Sequence, residues 1–167
     1  MFNRIGLAAV CLTLLSILWG CGSSPPAHRG LGFSEAPDVP SRISKTQADD
    51  ITIYAVGLVG TPYRYGGNTP DSGFDCSGLI GYIYQKRAGL APPRTVARMQ
   101  HWGQPVLSNN IRSGDLVLFA QRDVVTHAGI YVGAGRFVHA PSTGGVVRLD
   151  KLNSKYWSSQ QVTFRRP

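Results

Sequence analysis

The chain has 167 residues, of which 17 are Lys or Arg and 9 are Asp or Glu, so it carries a formal charge of +8. Hydrophobic residues reach 43% and charged residues only 16%, a balance that suits one packed domain and excludes disorder of the whole chain. Its 20 glycines and 11 prolines exceed what a helical bundle tolerates, and cysteines at 11, 21 and 76 alone cannot make a disulfide framework.

Met1 to Arg4 holds a single arginine and Ile5 to Trp19 is almost wholly apolar, the layout of a secretory signal. The run is shorter than the roughly 20 residues that a membrane-spanning helix needs. Leu18-Trp19-Gly20-Cys21 resembles a bacterial lipobox, although Trp19 stands where a small residue is usual. That resemblance implies removal of residues 1–20 and acylation of Cys21, which anchors the protein to a membrane. Loss of Arg4 leaves a charge of +7. Gly22 after the lipidated cysteine is similar to lipoproteins sent to the outer membrane, facing the periplasm. Residues 21–45, rich in proline and serine, read as a lipidated N-terminus and flexible linker with a reach of about 25 to 30 Å. The folded domain is expected over 46–167.

Thr46 to Asp49 offers a capping pair, and Ile51, Ala55 and Leu58 recur at helical spacing, so a helix is expected over about 47–59 with Gly60 at its end. Tyr63 to Pro70 is dense in turn formers and reads as an ordered loop. Asp75 can cap a second helix that begins at Cys76, in which Leu79, Ile80 and Ile83 share a face with the cysteine, and which Gly89 ends. A short third helix is expected from Thr95 to about Trp102. Strands are expected over 115–120, 127–132, 136–140, 146–150 and 162–165, separated by glycine-rich turns. Helices first and an antiparallel sheet of about five strands afterwards make an α+β fold.

A thiol in the first helical turn meets unpaired N–H groups and the positive end of the helix dipole, which favour thiolate and can hold an oxyanion. His127 and His139 flank Gly133-Ala134-Gly135. A hairpin centred on Gly133 sets them directly opposite each other, with both imidazoles on one face. A two-residue loop alone sends them to opposite faces, so the arrangement requires an odd-length turn or a bulge. With that geometry His127 can act as base for Cys76 while His139 orients it.

The segments Gly60 to Gly67, Gly73 to Leu79, Pro93-Arg94-Thr95, Gly114 to Val117, His127 to Gly133 and His139-Ala140 together resemble the NlpC family of bacterial cell-wall cysteine peptidases. The resemblance implies a papain-like core with the cysteine helix packed on the sheet, and hydrolysis of peptidoglycan stem peptides by a monomer without cofactor or metal. By position, Cys76 is the nucleophile, His127 the base and His139 the third polar residue. Tyr63 matches a tyrosine that helps bind the carbonyl oxygen. Asp75 and Ser77 match positions that border the substrate's amine in relatives cutting near a free stem terminus. Arg94 either lines the cleft or is an exposed helix-start residue, and Asp115 reads as a turn residue. A basic surface attracts the carboxylates of stem peptides. Scattered charge and export argue against nucleic acid. Three rival readings are a zinc site of Cys76, His127 and His139, an idle peptidoglycan-binding lipoprotein, and an amidase or acyl transferase acting on another exported amide. The small cross-link endopeptidases of Gram-negative envelopes are the relatives this layout looks most like.

Overall fold

The computed structural model describes residues 38–142 and 144–167. The expected signal segment, Cys21 and most of the expected linker lie outside the described residues. No helix among the described residues is long and apolar enough to cross a membrane.

The stretch 38–44, which composition assigns to the linker, is packed on the domain instead. Ile43 is 4% exposed in the main core, and the Arg42 N–H donates to the Pro167 carbonyl at 2.8 Å. Helix α1 (Lys45–Gly57) is started by Ser44 and not by the Thr46 pair. The Ser44 hydroxyl accepts the Gln47 N–H at 3.2 Å, while the Ser44 N–H donates to the Gln47 side chain at 2.9 Å. Two otherwise orphaned donors are thereby satisfied reciprocally.

The expected loop runs into a small hairpin of β1 (Asn68–Thr69) and β2 (Gly73–Phe74). Helix α2 (Cys76–Ala88) then begins and ends where the sequence predicts, with Asp75 as N-cap and Gly89 left-handed at φ 67. The preceding loop rests on the first turn of α2: a Cβ on Gly78 would lie 2.0 Å from the Gly67 carbonyl oxygen, so only glycine fits there. Helix α3 is a single turn, Val96–Met99, ending short of the expected Trp102, with Thr95 in the N-cap position without a side-chain hydrogen bond.

Six strands form one antiparallel sheet in the order β3 (Gln104–Val106), β8 (Gln161–Arg166), β4 (Leu116–Gln121), β5 (Val124–Gly133), β6 (Arg136–His139) and β7 (Arg148–Lys151). The strand not expected is β3. It is short, lies on the sheet edge and contains Pro105, which cannot donate to a ladder, so its sequence carries little strand signal. Alternation divides the burial of β4 between two layers. Leu116 and Leu118 join Ile80, Ile83, Ala128 and Ile130 on the helix side, whereas Val117 and Phe119 join Phe137, Trp157 and Phe164. The result is the expected α+β architecture, with helices packed on an antiparallel sheet.

The C-terminal strand is fixed by charge. Arg166, 1% exposed, donates from Nε and Nη2 to both oxygens of Asp115 at 2.9 and 3.0 Å and from Nη1 to Asp38 at 2.5 Å. Asp115 is therefore a buried ion-pair partner and not a simple turn residue. Removing one member of such a pair strands the other charge in a dry site. Arg166→Ala should lower the unfolding free energy by about 3 to 5 kcal/mol in urea denaturation, and a loss below about 1 kcal/mol would contradict this account of the C-terminus.

Candidate active site

Cys76 is the first residue of α2 and is partly exposed. It opens on a cleft of about 440 Å³ lined by Tyr63, Tyr65, Asp75, Ser77, Arg94 and Val96, among others. Asp75 is pinned by five donors. Its Oδ1 accepts from the Gly78 N–H at 2.6 Å, from Ser77 Oγ at 3.0 Å and from Arg94 Nη1 at 2.8 Å. Its Oδ2 accepts from the Gly66 N–H and from Arg94 Nη2, both at 2.9 Å. Arg94, left open by the sequence, thus lines the cleft and clamps Asp75 with two parallel bonds, while also donating to the Ser77 hydroxyl. Burial pushes the Asp75 carboxyl up, but the bonds from Arg94, Gly78 and Ser77 outweigh it and hold the group below the usual aspartate range.

The thiol departs from the expectation of a favoured thiolate. Burial, followed by the neighbouring Asp75 charge, raises its pKa, against the N–H groups of Ser77 and Cys76, which lower it. The helix start acts in the expected direction and is outweighed. Tyr63 is likewise raised, by burial first and then by Cys76 and Asp75, so it remains a phenol able to donate.

Helix α2 lies against β5, which carries His127. The β5–β6 turn is a two-residue Ala134-Gly135 loop with φ of 51 and 68 at its two positions. Taken alone it would separate the histidines. A bulge between Tyr131 and Gly133 restores the parity, and the ladder runs Tyr131 to Phe137 and Ile130 to Val138. Continued, this register sets His139 opposite Gly129 and not opposite His127, so the two histidines are diagonal neighbours on one face. Gly129 makes room for this: a Cβ there would lie 2.7 Å from the Phe137 ring and 3.3 Å from the His139 Cβ. The rings meet edge to face, with His127 Nε2 and His139 Nδ1 2.9 Å apart. Behind them, His139 Nε2 is 3.0 Å from Asp150 Oδ2. Asp150 escaped the sequence reading. Its only signal was to share a strand face with Arg148, and nothing local tells which strand that face adjoins.

His127 lines a cleft of about 350 Å³ with Thr126, Ser142, Arg148, Tyr156 and Trp157, and it shares no lining residue with the Cys76 cleft. Among the described residues no hydrogen bond joins the sulfur to either imidazole. The structure therefore assembles the two histidines with Asp150, and Cys76 with Tyr63, Asp75, Ser77 and Arg94, on packed neighbouring elements. Both nitrogens of His139 are engaged, Nδ1 with His127 and Nε2 with Asp150, and among the described residues no group of three His, Cys, Asp or Glu side chains is arranged to hold a metal ion.

The NlpC/P60 family model matches residues 60–166. The chain belongs to the NlpC/P60 family. It is 39% identical over 112 residues to murein DD-endopeptidase MepH of Escherichia coli, covering 65% of this chain and 41% of that protein. It is 38% identical over 129 residues to the E. coli murein DD-endopeptidase and LD-carboxypeptidase MepS, with 77% and 63% covered. The gamma-DL-glutamyl hydrolase of Bacillus subtilis is 42% identical over 110 residues, with 65% and 26% covered. The chain thus spans less than two thirds of the length of each of these relatives. Among solved structures, an NlpC/P60 family protein from Bacillus cereus superposes with a TM-score of 0.66 at 30% identity, over 77% of this chain and 41% of that one. RipD of Mycobacterium tuberculosis, described as a non-catalytic NlpC/P60 domain protein adapted to peptidoglycan binding, gives 0.61 at 25%, over 74% and 98%.

Electrostatics in this NlpC/P60 domain make a stability prediction. Burial, then the neighbouring His139 and Arg148, pushes His127 down to about 3. Burial, opposed by Asp150, takes His139 down to about 4. Both rings stay neutral in the fold where unfolded histidines, near 6.5, are already taking protons. The unfolded chain therefore binds more protons in that window, and stability rises with pH across it. The unfolding free energy should hold above pH 7 and fall between pH 6.5 and 4, by at most about 1.4 kcal/mol per pH unit for each ring, which denaturant titrations across that range would read. A flat profile across that range would contradict the buried, neutral pair.

Proposed function

We propose that the chain is an exported peptidoglycan hydrolase, a cysteine peptidase in which Cys76 attacks, His127 moves the proton and His139 orients it. The observation that carries this reading is the 2.9 Å contact between His127 Nε2 and His139 Nδ1, which leaves His127 Nδ1 as the ring nitrogen available to a thiol. The neutral imidazole and the protonated thiol act as general base and latent nucleophile. As Sγ bonds to the amide carbon, its proton passes to His127 Nδ1 and then to the departing amine. Water, deprotonated at the same nitrogen, next hydrolyses the thioester and releases the acid. In this reading the Cys76 N–H and the Tyr63 hydroxyl, which line the same cleft, receive the carbonyl oxygen. The absence of a sulfur–imidazole hydrogen bond among the described residues is compatible with this role, since catalytic hydrogen bonds are often long in unliganded enzymes.

Relatives named murein DD-endopeptidase support a peptidoglycan substrate, and such a substrate requires export. Residues 1–20 as signal, Cys21 as lipid anchor and an outer-membrane position facing the periplasm are part of the same proposal. RipD favours a second reading, a binding domain without turnover, which the retained thiol and linked imidazoles of this chain oppose.

Bond choice follows from Asp75. All five of its hydrogen bonds come from the protein, and the Ser77 hydroxyl gives its proton to Asp75 while accepting from Arg94. A free stem ammonium would have to compete with the protein's own donors for the Asp75 carboxylate. The positions that matched an amine site thus favour cleavage at cross-links, where no free amine is required. Offered equal amounts of a cross-linked muropeptide dimer and an uncross-linked stem with a free amine, the protein should convert the dimer to monomers at least about 10-fold faster, a difference of about 1.4 kcal/mol in transition-state binding. Mass analysis showing cut free-amine stems and intact dimers would overturn the assignment.

A further inference from the structure

Asp150 lies on β7, where the ladder pairs it with Phe137 and pairs Arg148 with His139. Its carboxylate therefore reaches His139 diagonally along one sheet face. Three side chains converge on a single oxygen, Oδ2: His139 Nε2 at 3.0 Å, the Trp157 indole N–H at 2.8 Å and the Arg148 Nε–H at 3.1 Å. Trp157 is 6% exposed and stacks on His127 at 5.3 Å between centroids, so this acceptor is anchored by a group that also packs against the base.

An ionised carboxylate can only accept hydrogen bonds, and a neutral imidazole carries one donor and one acceptor. These two facts fix every proton in the chain of contacts. His139 Nε2 must carry the hydrogen, because it faces Asp150. His139 Nδ1 is then a bare lone pair and must accept, so His127 Nε2 carries its hydrogen and His127 Nδ1 is bare. We propose that Asp150 is a positioning residue that sets the tautomer of His127 through His139, two hydrogen bonds away, and thereby keeps the basic nitrogen of the relay free to take a proton. Without the carboxylate, the reversed arrangement becomes available: His139 Nδ1 donates to His127 Nε2, and His127 Nδ1 is capped by a hydrogen. That form cannot act as a base. The Asp150 charge, relayed by His139, also favours the imidazolium that His127 becomes during attack.

The kinetic part of this inference rests on the hydrolase reading, and the tautomer part does not. Long-range nitrogen–proton NMR correlations on histidine-labelled protein near pH 7 read the tautomers without substrate. The wild type should show His127 protonated at Nε2 and His139 at Nε2. Asp150→Ala should replace this with a mixture or with the Nδ1-protonated form of His127. Its kcat on cross-linked muropeptides, per thiol titrated with iodoacetamide, should fall at least about 10-fold with KM unchanged. Asp150→Asn presents an oxygen at the same place, so it should retain the tautomer and lose only a few-fold. Should the alanine variant fail to fold, the wild-type and Asn spectra still decide. Wild-type His127 protonated at Nδ1 would overturn the proposal, as would an alanine variant whose tautomers are unchanged, whatever its rate. A changed tautomer with unchanged kcat would uphold the Asp150 assignment and contradict His127 as the base.

Discussion

Side-chain parity in the β5–β6 hairpin is the constraint on which the site depends. Successive residues on a strand point to opposite faces, so His127 and His139 can meet only if the residues separating their paired positions keep an even count. The Ala134-Gly135 turn would break that parity, and the bulge at Val132 restores it. From this one insertion follow the diagonal approach of the rings and the space that Gly129 leaves beside His139, while the regular β6–β7 ladder brings Asp150 to the same face. The aromatic layer of Phe119, Phe137 and Trp157 then holds both imidazoles from the sides and keeps them neutral by excluding water.

At the other half of the site two effects of the helix start compete. The N-terminal turn of α2 lowers the thiol pKa through its N–H groups, while burial and the Asp75 charge raise it. Arg94 moderates that conflict. It pairs with Asp75 and itself acts to lower the thiol pKa, against the Asp75 charge beside the sulfur. The structure thus holds a protonated thiol and, on neighbouring β5 and β6, a neutral pair of imidazoles.

Local signals in the sequence located α2, its Asp75 cap, its Gly89 end and the Cys76 position, because capping and helical spacing act within a few residues. The need for an odd-length turn or a bulge was also legible, since parity is arithmetic. Its location was not: Val132 differs from its neighbours in no way that marks it, and the histidines came out diagonal where direct opposition was expected. Asp150 and the double clamp by Arg94 depend on contacts between residues 11 and 19 positions apart, which composition and period cannot specify. The Ser44 cap was missed because Thr46-Gln47-Ala48-Asp49 offered a rival of similar chemistry two residues later. Residues 38–44 look like linker by composition, yet Ile43 and Asp38 tie them to the domain through the core and through Arg166.

The central claim is that a sulfur on a helix end and a ring on a neighbouring strand act as one catalytic unit. The most direct measurement is muropeptide release from purified sacculi by Cys76→Ala, His127→Ala and the double variant. Groups that work as a unit give non-additive losses, so each single change should remove at least about 1,000-fold in rate and the double change no more than the worse single one. Release by Cys76→Ala at the wild-type rate, or losses that multiply in the double variant, would contradict the account.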